Sequence, residues 1–169
     1  SSFRQSGEDY QLTDIYGVNG QTSDPIKGAD FYLKYKNDQW LFTSRYMQRT
    51  LDDFIVFGAL GNGINHEETS QFSLTAEYLN KWTEKFESTV RLTHSNNDWN
   101  TIAIIIPQGV EIAPDFSLSE NFIGGPQLKS QTNQLSFSGN YKLSNNHRFT
   151  FGGSFEKSKI TDVATAVTH

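Results

Sequence analysis

Asn133-Gln134-Leu135-Ser136-Phe137-Ser138-Gly139-Asn140-Tyr141-Lys142-Leu143 is the stretch that decides how this chain folds. In an extended strand successive side chains point to opposite sides, so Leu135, Phe137, Gly139, Tyr141 and Leu143 share one face. Gln134, Ser136, Ser138, Asn140 and Lys142 share the other. A helix would space its apolar residues three and four apart, and this segment repeats at two. Ser144-Asn145-Asn146 supplies turn residues, after which Phe149, Phe151, Gly153 and Phe155 alternate with Arg148, Thr150, Gly152, Ser154 and Glu156. The two segments are predicted to be the strands of a β-hairpin.

Working upstream, Phe72, Leu74, Ala76 and Tyr78 alternate with Ser73, Thr75 and Glu77. The return strand presents Phe86, Ser88, Val90 and Leu92 against Glu87, Thr89, Arg91 and Thr93. An earlier, less regular pair follows the same rule, with Phe31, Leu33 and Tyr35 turning through Lys36-Asn37-Asp38 into Trp40, Phe42, Ser44 and Tyr46. The chain is thus expected to be all-β, with hairpins at about 29–49, 71–94 and 133–157 in a single β-domain or barrel segment covering 1–169.

The connections shape the architecture expected of these hairpins. Turns inside the hairpins are short, whereas Thr50 to Ser70 and Ser95 to Thr132 join one hairpin to the next. In an antiparallel up-and-down meander this puts short turns at one end and long loops at the other, as membrane β-barrels do. Strands of about nine to eleven residues also suit a tilted bilayer crossing. The expected fold is therefore such a meander forming a membrane β-barrel or part of one. Periodicity alone fits a soluble β-sandwich or lipocalin-like ligand-binding module equally well, since those too alternate a core face with a wet one.

Composition narrows the classes further. At 169 residues and 19.1 kDa the chain is long enough for one sizeable core and too short for two ordinary domains. A formal charge of -5, a pI near 5.3 and no basic cluster argue against a nucleic-acid partner. The absence of cysteine removes disulfides, thiolate nucleophiles and cysteine-based metal sites. No apolar run is long enough for a membrane helix, and the opening Ser1-Ser2-Phe3 shows no signal-peptide pattern. That start, without Met, suggests a processed protein or a piece of a larger one.

The segment Lys27-Gly28-Ala29-Asp30-Phe31-Tyr32-Leu33-Lys34-Tyr35 resembles a barrel strand of the TonB-dependent outer-membrane receptors, and the 133–155 hairpin has the same texture. The resemblance is one of style and rests on no diagnostic motif. It implies a portion of a barrel of about 22 strands in the outer membrane of a Gram-negative bacterium, importing metal chelates, cobalamin or glycans. Its partners would then be the lipid bilayer, the remaining receptor strands and plug, and a small-molecule substrate. A complete smaller barrel would need two more strands, for which Gln11 to Gly17 and Lys159 to Val167 are the candidates.

Candidate sites are sparse. Trp99 beside Asn96, Asn97 and Asp98 could stack an aromatic on a ligand and bind its hydroxyls, and these four are the ligand-binding candidates; the structural alternative is an interfacial Trp at a hairpin rim. Recognition is expected in the two long connections. His66-Glu67-Glu68 has metal-ligating residue types, although adjacent residues converge poorly on one ion and a solvated acidic loop is the favoured reading. Asp52-Asp53 and Asp115 with Glu120 are carboxylate pairs without an oriented partner. Ile102 to Ile106 reads as a short extra strand. With no serine–histidine–acid or lysine-based set and no phosphate-loop ending after Gly61-Asn62-Gly63 or Gly124-Gly125-Pro126, the chain is expected to be no enzyme and to need no cofactor or metal.

Overall fold

Alternating residues become long strands in the computed structural model, which describes residues 1–7, 10–22, 25–56, 58–61 and 63–168. In chain order these are β1 (Ser2–Gln5), β2 (Tyr10–Thr13), β3 (Asn19–Thr22), β4 (Ile26–Lys36), β5 (Trp40–Asp52), β6 (His66–Lys81), β7 (Phe86–Ile106), β8 (Glu111–Ala113), β9 (Phe116–Ser117), β10 (Phe122–Lys142) and β11 (Arg148–Thr168). One seven-stranded antiparallel sheet has the order β1-β4-β5-β6-β7-β10-β11, while β2-β3 and β8-β9 form two small hairpins. The large sheet is a meander, each main strand lying beside its neighbour in sequence, as tight turns dictate.

Register sorts the side chains into rows running across the strands. Tyr35, Phe42, Ala76, Leu92, Leu135 and Phe155 form one row, and Trp40, Tyr78, Val90, Phe137 and Gly153 form the next toward the tight turns. These rows and Phe86, Tyr141, Phe149 and Phe151 make one apolar face, whose rings touch: Trp40 stacks on Phe42 at 5.4 Å and Phe86 on Phe151 at 6.3 Å. Such ring pairs add stability beyond the area they bury. Phe151 also lies where a Cβ on Gly139 would sit, so the missing side chain of one strand is filled by the ring of the next. The opposite face is polar, with rows such as Lys34, Thr43, Thr75, Thr93, Gln134 and Glu156. It carries the Arg45–Asp30 and Arg91–Glu77 ion pairs at 2.7 and 2.5 Å.

The enclosed core lies at the end of the sheet away from the tight turns. Residues 53–65, the β2-β3 hairpin and the last residues of β7 fold together there, burying Ala59, Leu60, Ala103 and Ile104. Buried Asn65 ties the layers, accepting from the Ile104 amide at 2.7 Å and donating to the Phe54 carbonyl at 2.5 Å. Asp14 adds its Oδ2 to the Leu60 amide at 3.3 Å, and Tyr16 donates to the Ile105 carbonyl at 3.4 Å. Buried backbone polar groups at this loop-rich end are thus satisfied by side chains where no ladder reaches.

Several sequence expectations need correction. The antiparallel meander stands, but the sheet does not close: it ends at β1 on one side and β11 on the other, and the two are not paired. An open sheet leaves a row of unpaired N–H and C=O groups at each edge, which hydrocarbon does not tolerate, so a membrane β-barrel is not what this fold forms. The strands run well beyond the periodic segments, because pairing continues where both faces turn polar and the alternation fades. The long connections shrink accordingly to residues 53–65 and 107–121, the latter holding β8 and β9. Ile102 to Ile106 is the end of β7 and no separate strand, and Lys159 to Val167 continues β11 past a bulge opposite Lys129 and Ser130.

Candidate functional site

Where the apolar face meets its first polar row, the surface dips. Leu74, Ala76, Leu92, Leu135 and Phe155 line a depression of about 330 Å³ together with His94, Asn133 and Lys157. The apolar members come from β6, β7, β10 and β11, and pairing alone brings them together. Leu92 and Phe155 remain 56% and 68% exposed, so this apolar area is not used in the core. Leu33, Ser44, Leu74, His94, Asn133 and Lys157 form the bordering row. His94 Nδ1 lies 2.8 Å from Asn133 Oδ1, an amide oxygen that accepts from it, and the contact fixes the imidazole and the amide together along the rim. Lys157 has no carboxylate within ion-pair distance among the described residues. An apolar floor with a few convergent polar groups at one edge is the usual composition of a small-molecule site.

A second polar cluster lies farther along the same face. Asp52 Oδ1 is 2.7 Å from His66 Nδ1, and its other oxygen is 3.3 Å from Lys27 Nζ. Burial acts to raise the Asp52 pKa, but hydrogen bonds and charge from His66 and Lys27 outweigh it and hold the carboxyl below its ordinary value. Between it and the depression Gln48 donates to Glu68 at 2.6 Å and Lys129 pairs with Asp98 at 3.2 Å. A group whose folded pKa is depressed contributes stability above its unfolded pKa and loses it as pH falls through the folded one. Acidifying from pH 5 through the carboxylate range (about 3.9 for free Asp) is therefore expected to lower Tm in the parent. The Asp52→Asn variant should start lower and show a shallower fall; parallel melting curves in the two would remove Asp52 from the pH response.

The residues singled out in the sequence do not converge. Asn96, Asn97, Asp98 and Trp99 lie in mid-β7, paired on both sides by β6 and β10, and not in a loop or at a hairpin rim. Alternation sends Asn96 and Asp98 to the face that carries the aromatic rows and Asn97 and Trp99 to the other. His66 and Glu68 likewise share a face that Glu67 does not; Glu67 accepts from Thr101 on the opposite side at 3.3 Å. Among the described residues no group of three or more His, Asp or Glu side chains is placed to hold a metal ion. Asp52 and Asp53 diverge, Asp53 having φ 51° and capping the Gly63 amide at 2.6 Å. Asp115, at φ 64°, sits in the β8-β9 turn. The row of His94, Asn133 and Lys157 escaped the sequence reading because each residue belongs to a different strand, and only register makes them neighbours.

No family model matches the chain, and no curated protein or solved structure matches it. Together with the open sheet, this overturns the likeness to TonB-dependent receptors and what it implied: an outer-membrane location, a lipid bilayer and missing barrel strands with a plug as partners, and a share in nutrient import. A repeating pattern of small polar and aromatic residues is what any long amphipathic antiparallel strand displays, and it carries no family signature.

Proposed function

We propose that this chain is a binding module without a catalytic role, and that the apolar face of its sheet takes a small amphipathic ligand. The ligand's apolar body lies on Leu74, Ala76, Leu92, Leu135 and Phe155, and its anionic or hydrogen-bonding head meets Lys157, His94 and Asn133. The observation that carries this reading is the meeting of an apolar row with a polar row that holds an ammonium without an ion pair among the described residues, at the edge of a surface depression. A charge-assisted hydrogen bond from Lys157 would fix the head, and burial of the body would supply most of the affinity.

Isothermal titration with dodecanoate, below the concentration at which it forms micelles, tests this. Saturable binding close to one per chain is expected. Lys157→Gln should weaken it by about tenfold, or ~1.4 kcal/mol, and leave the affinity for dodecanol unchanged. Uptake that never saturates, or equal dodecanoate affinity in the parent and Lys157→Gln, would count against the site.

A further inference from the structure

The long outer edge of β11 points to a second copy of this chain as its partner. Nothing among the described residues pairs with that side of the strand, although β11 spans Arg148–Thr168. Its first half, Arg148-Phe149-Thr150-Phe151-Gly152-Gly153-Ser154-Phe155-Glu156, is complementary to itself when run antiparallel about Gly152. Arg148 then opposes Glu156 of the second copy, Phe149 opposes Phe155, Thr150 opposes Ser154 and Phe151 opposes Gly153, each pair occurring twice. The faces also agree: the aromatic pairs fall on the apolar face and the charged pairs on the polar one. Within the sheet the same aromatic-on-glycine match already occurs, Phe151 opposite Gly139 and Phe137 opposite Gly153.

Charge selects this edge. Arg148 stands directly opposite Lys142 in the register, a like-charge pair, and makes no ion pair of its own among the described residues. Like charges directly opposite one another destabilise a sheet. Glu156 stands opposite Gln134, and its side chain has a hydrogen bond from Ser158 at 3.2 Å but no cation. A second copy brings the missing carboxylate to Arg148 and the missing cation to Glu156. At the other edge the first strand covers β4 as far as Asp30, whose backbone bonds Ser1 in both directions, and the remainder, Phe31–Lys36, carries only the like charges Lys34 and Lys36. We infer that two chains join β11 to β11 in this register, forming an isologous dimer with one continuous sheet and one continuous apolar face. This goes beyond the ligand reading and does not depend on it.

The test is the mass in solution without ligand, followed by a check of register. Sedimentation equilibrium of the parent should give a dimer. Glu156→Arg should give a monomer, and adding Arg148→Glu to it should restore the dimer. Because the chain has no cysteine, an equimolar mixture of Thr150→Cys and Ser154→Cys chains should form a disulfide-linked dimer under mild oxidation, since opposed positions meet the ~4.4–6.8 Å Cα separation that a disulfide requires. Either variant alone should not, as its two substituted positions lie four residues apart along the paired strands. A monomeric parent, a dimer that survives Glu156→Arg, or equal cross-linking in the mixture and the single variants would overturn the proposal.

Discussion

Gly125→Val is expected to cost about 3 kcal/mol or more, lowering Tm by roughly 6–12 °C for a chain of this size. Gly125 is buried in β10 where the strand passes close to the end of β7. A Cβ there would overlap the carbonyl oxygen of Thr101 and crowd the Ile102 amide, both backbone atoms that no rotamer change can move. Relief would require β7 and β10 to separate just where Ala103 and Ile104 enter the enclosed core. In the Glu156→Arg background, where the outer edge of β11 is unpaired, Gly153→Ala is the control, because a Cβ at Gly153 meets nothing of its own chain within 4 Å, and its effect there should stay within about 0.5 kcal/mol. Thermal melts of the two variants decide the matter; similar losses would mean that Gly125 is kept for some reason other than close approach.

Leu60→Ala should cost about 2–5 kcal/mol, because Leu60 is 1% exposed and is, with Ile104, one of the two large apolar side chains of the enclosed core. The damage should be local first. Loss of Leu60 loosens residues 53–65, and with them Asn65, whose side chain holds the Ile104 amide. Hydrogen exchange should therefore accelerate at Ile104 well before it does at Leu92 or Leu135 in the middle of the sheet. Uniform acceleration along the whole of β7 would show instead that the cap and the sheet unfold as one unit.

The antiparallel meander was legible because alternation is a local signal. Phe137, Tyr141, Phe151 and Phe155 fall on the face that the periodicity assigns them, with Ser138, Asn140, Thr150 and Ser154 on the other. The full reach of the strands was not legible. From Ser95 to Thr101 polar residues occupy both faces of β7, so the segment reads as a loop although it is paired on both sides. Closure was beyond the sequence for a different reason: whether two edges meet depends on accumulated twist and stagger, which no single strand encodes. The enclosed core was equally hidden, as Ala59, Leu60 and Asn65 lie among glycines and acquire their neighbours only through the fold. The candidate site shows the same limit, since alternation scatters the four consecutive residues from Asn96 to Trp99 over two faces while pairing gathers His94, Asn133 and Lys157 from three strands.

An open sheet with an aromatic face has unused apolar area, and this is what the proposed binding role rests on. The described residues leave Tyr35, Phe42, Leu92, Leu135 and Phe155 between 40% and 68% exposed, and contiguous exposed apolar patches mark interaction surfaces. On the polar face, side chains are engaged with one another through Arg45–Asp30, Arg91–Glu77 and the Thr75–Thr93 hydroxyl pair at 3.2 Å.

The leucines divide cleanly between the two faces, and this permits a direct measurement. Leu74, Leu92 and Leu135 lie on the apolar face, whereas Leu41, Leu79 and Leu128 lie on the other. In a leucine-methyl-labelled sample titrated with dodecanoate, nuclear Overhauser contacts from the ligand's methylene protons should appear at Leu74, Leu92 and Leu135 and at none of the second set. Contacts at Leu41, Leu79 or Leu128, or contacts spread equally over both sets, would contradict a binding site on the apolar face of the sheet.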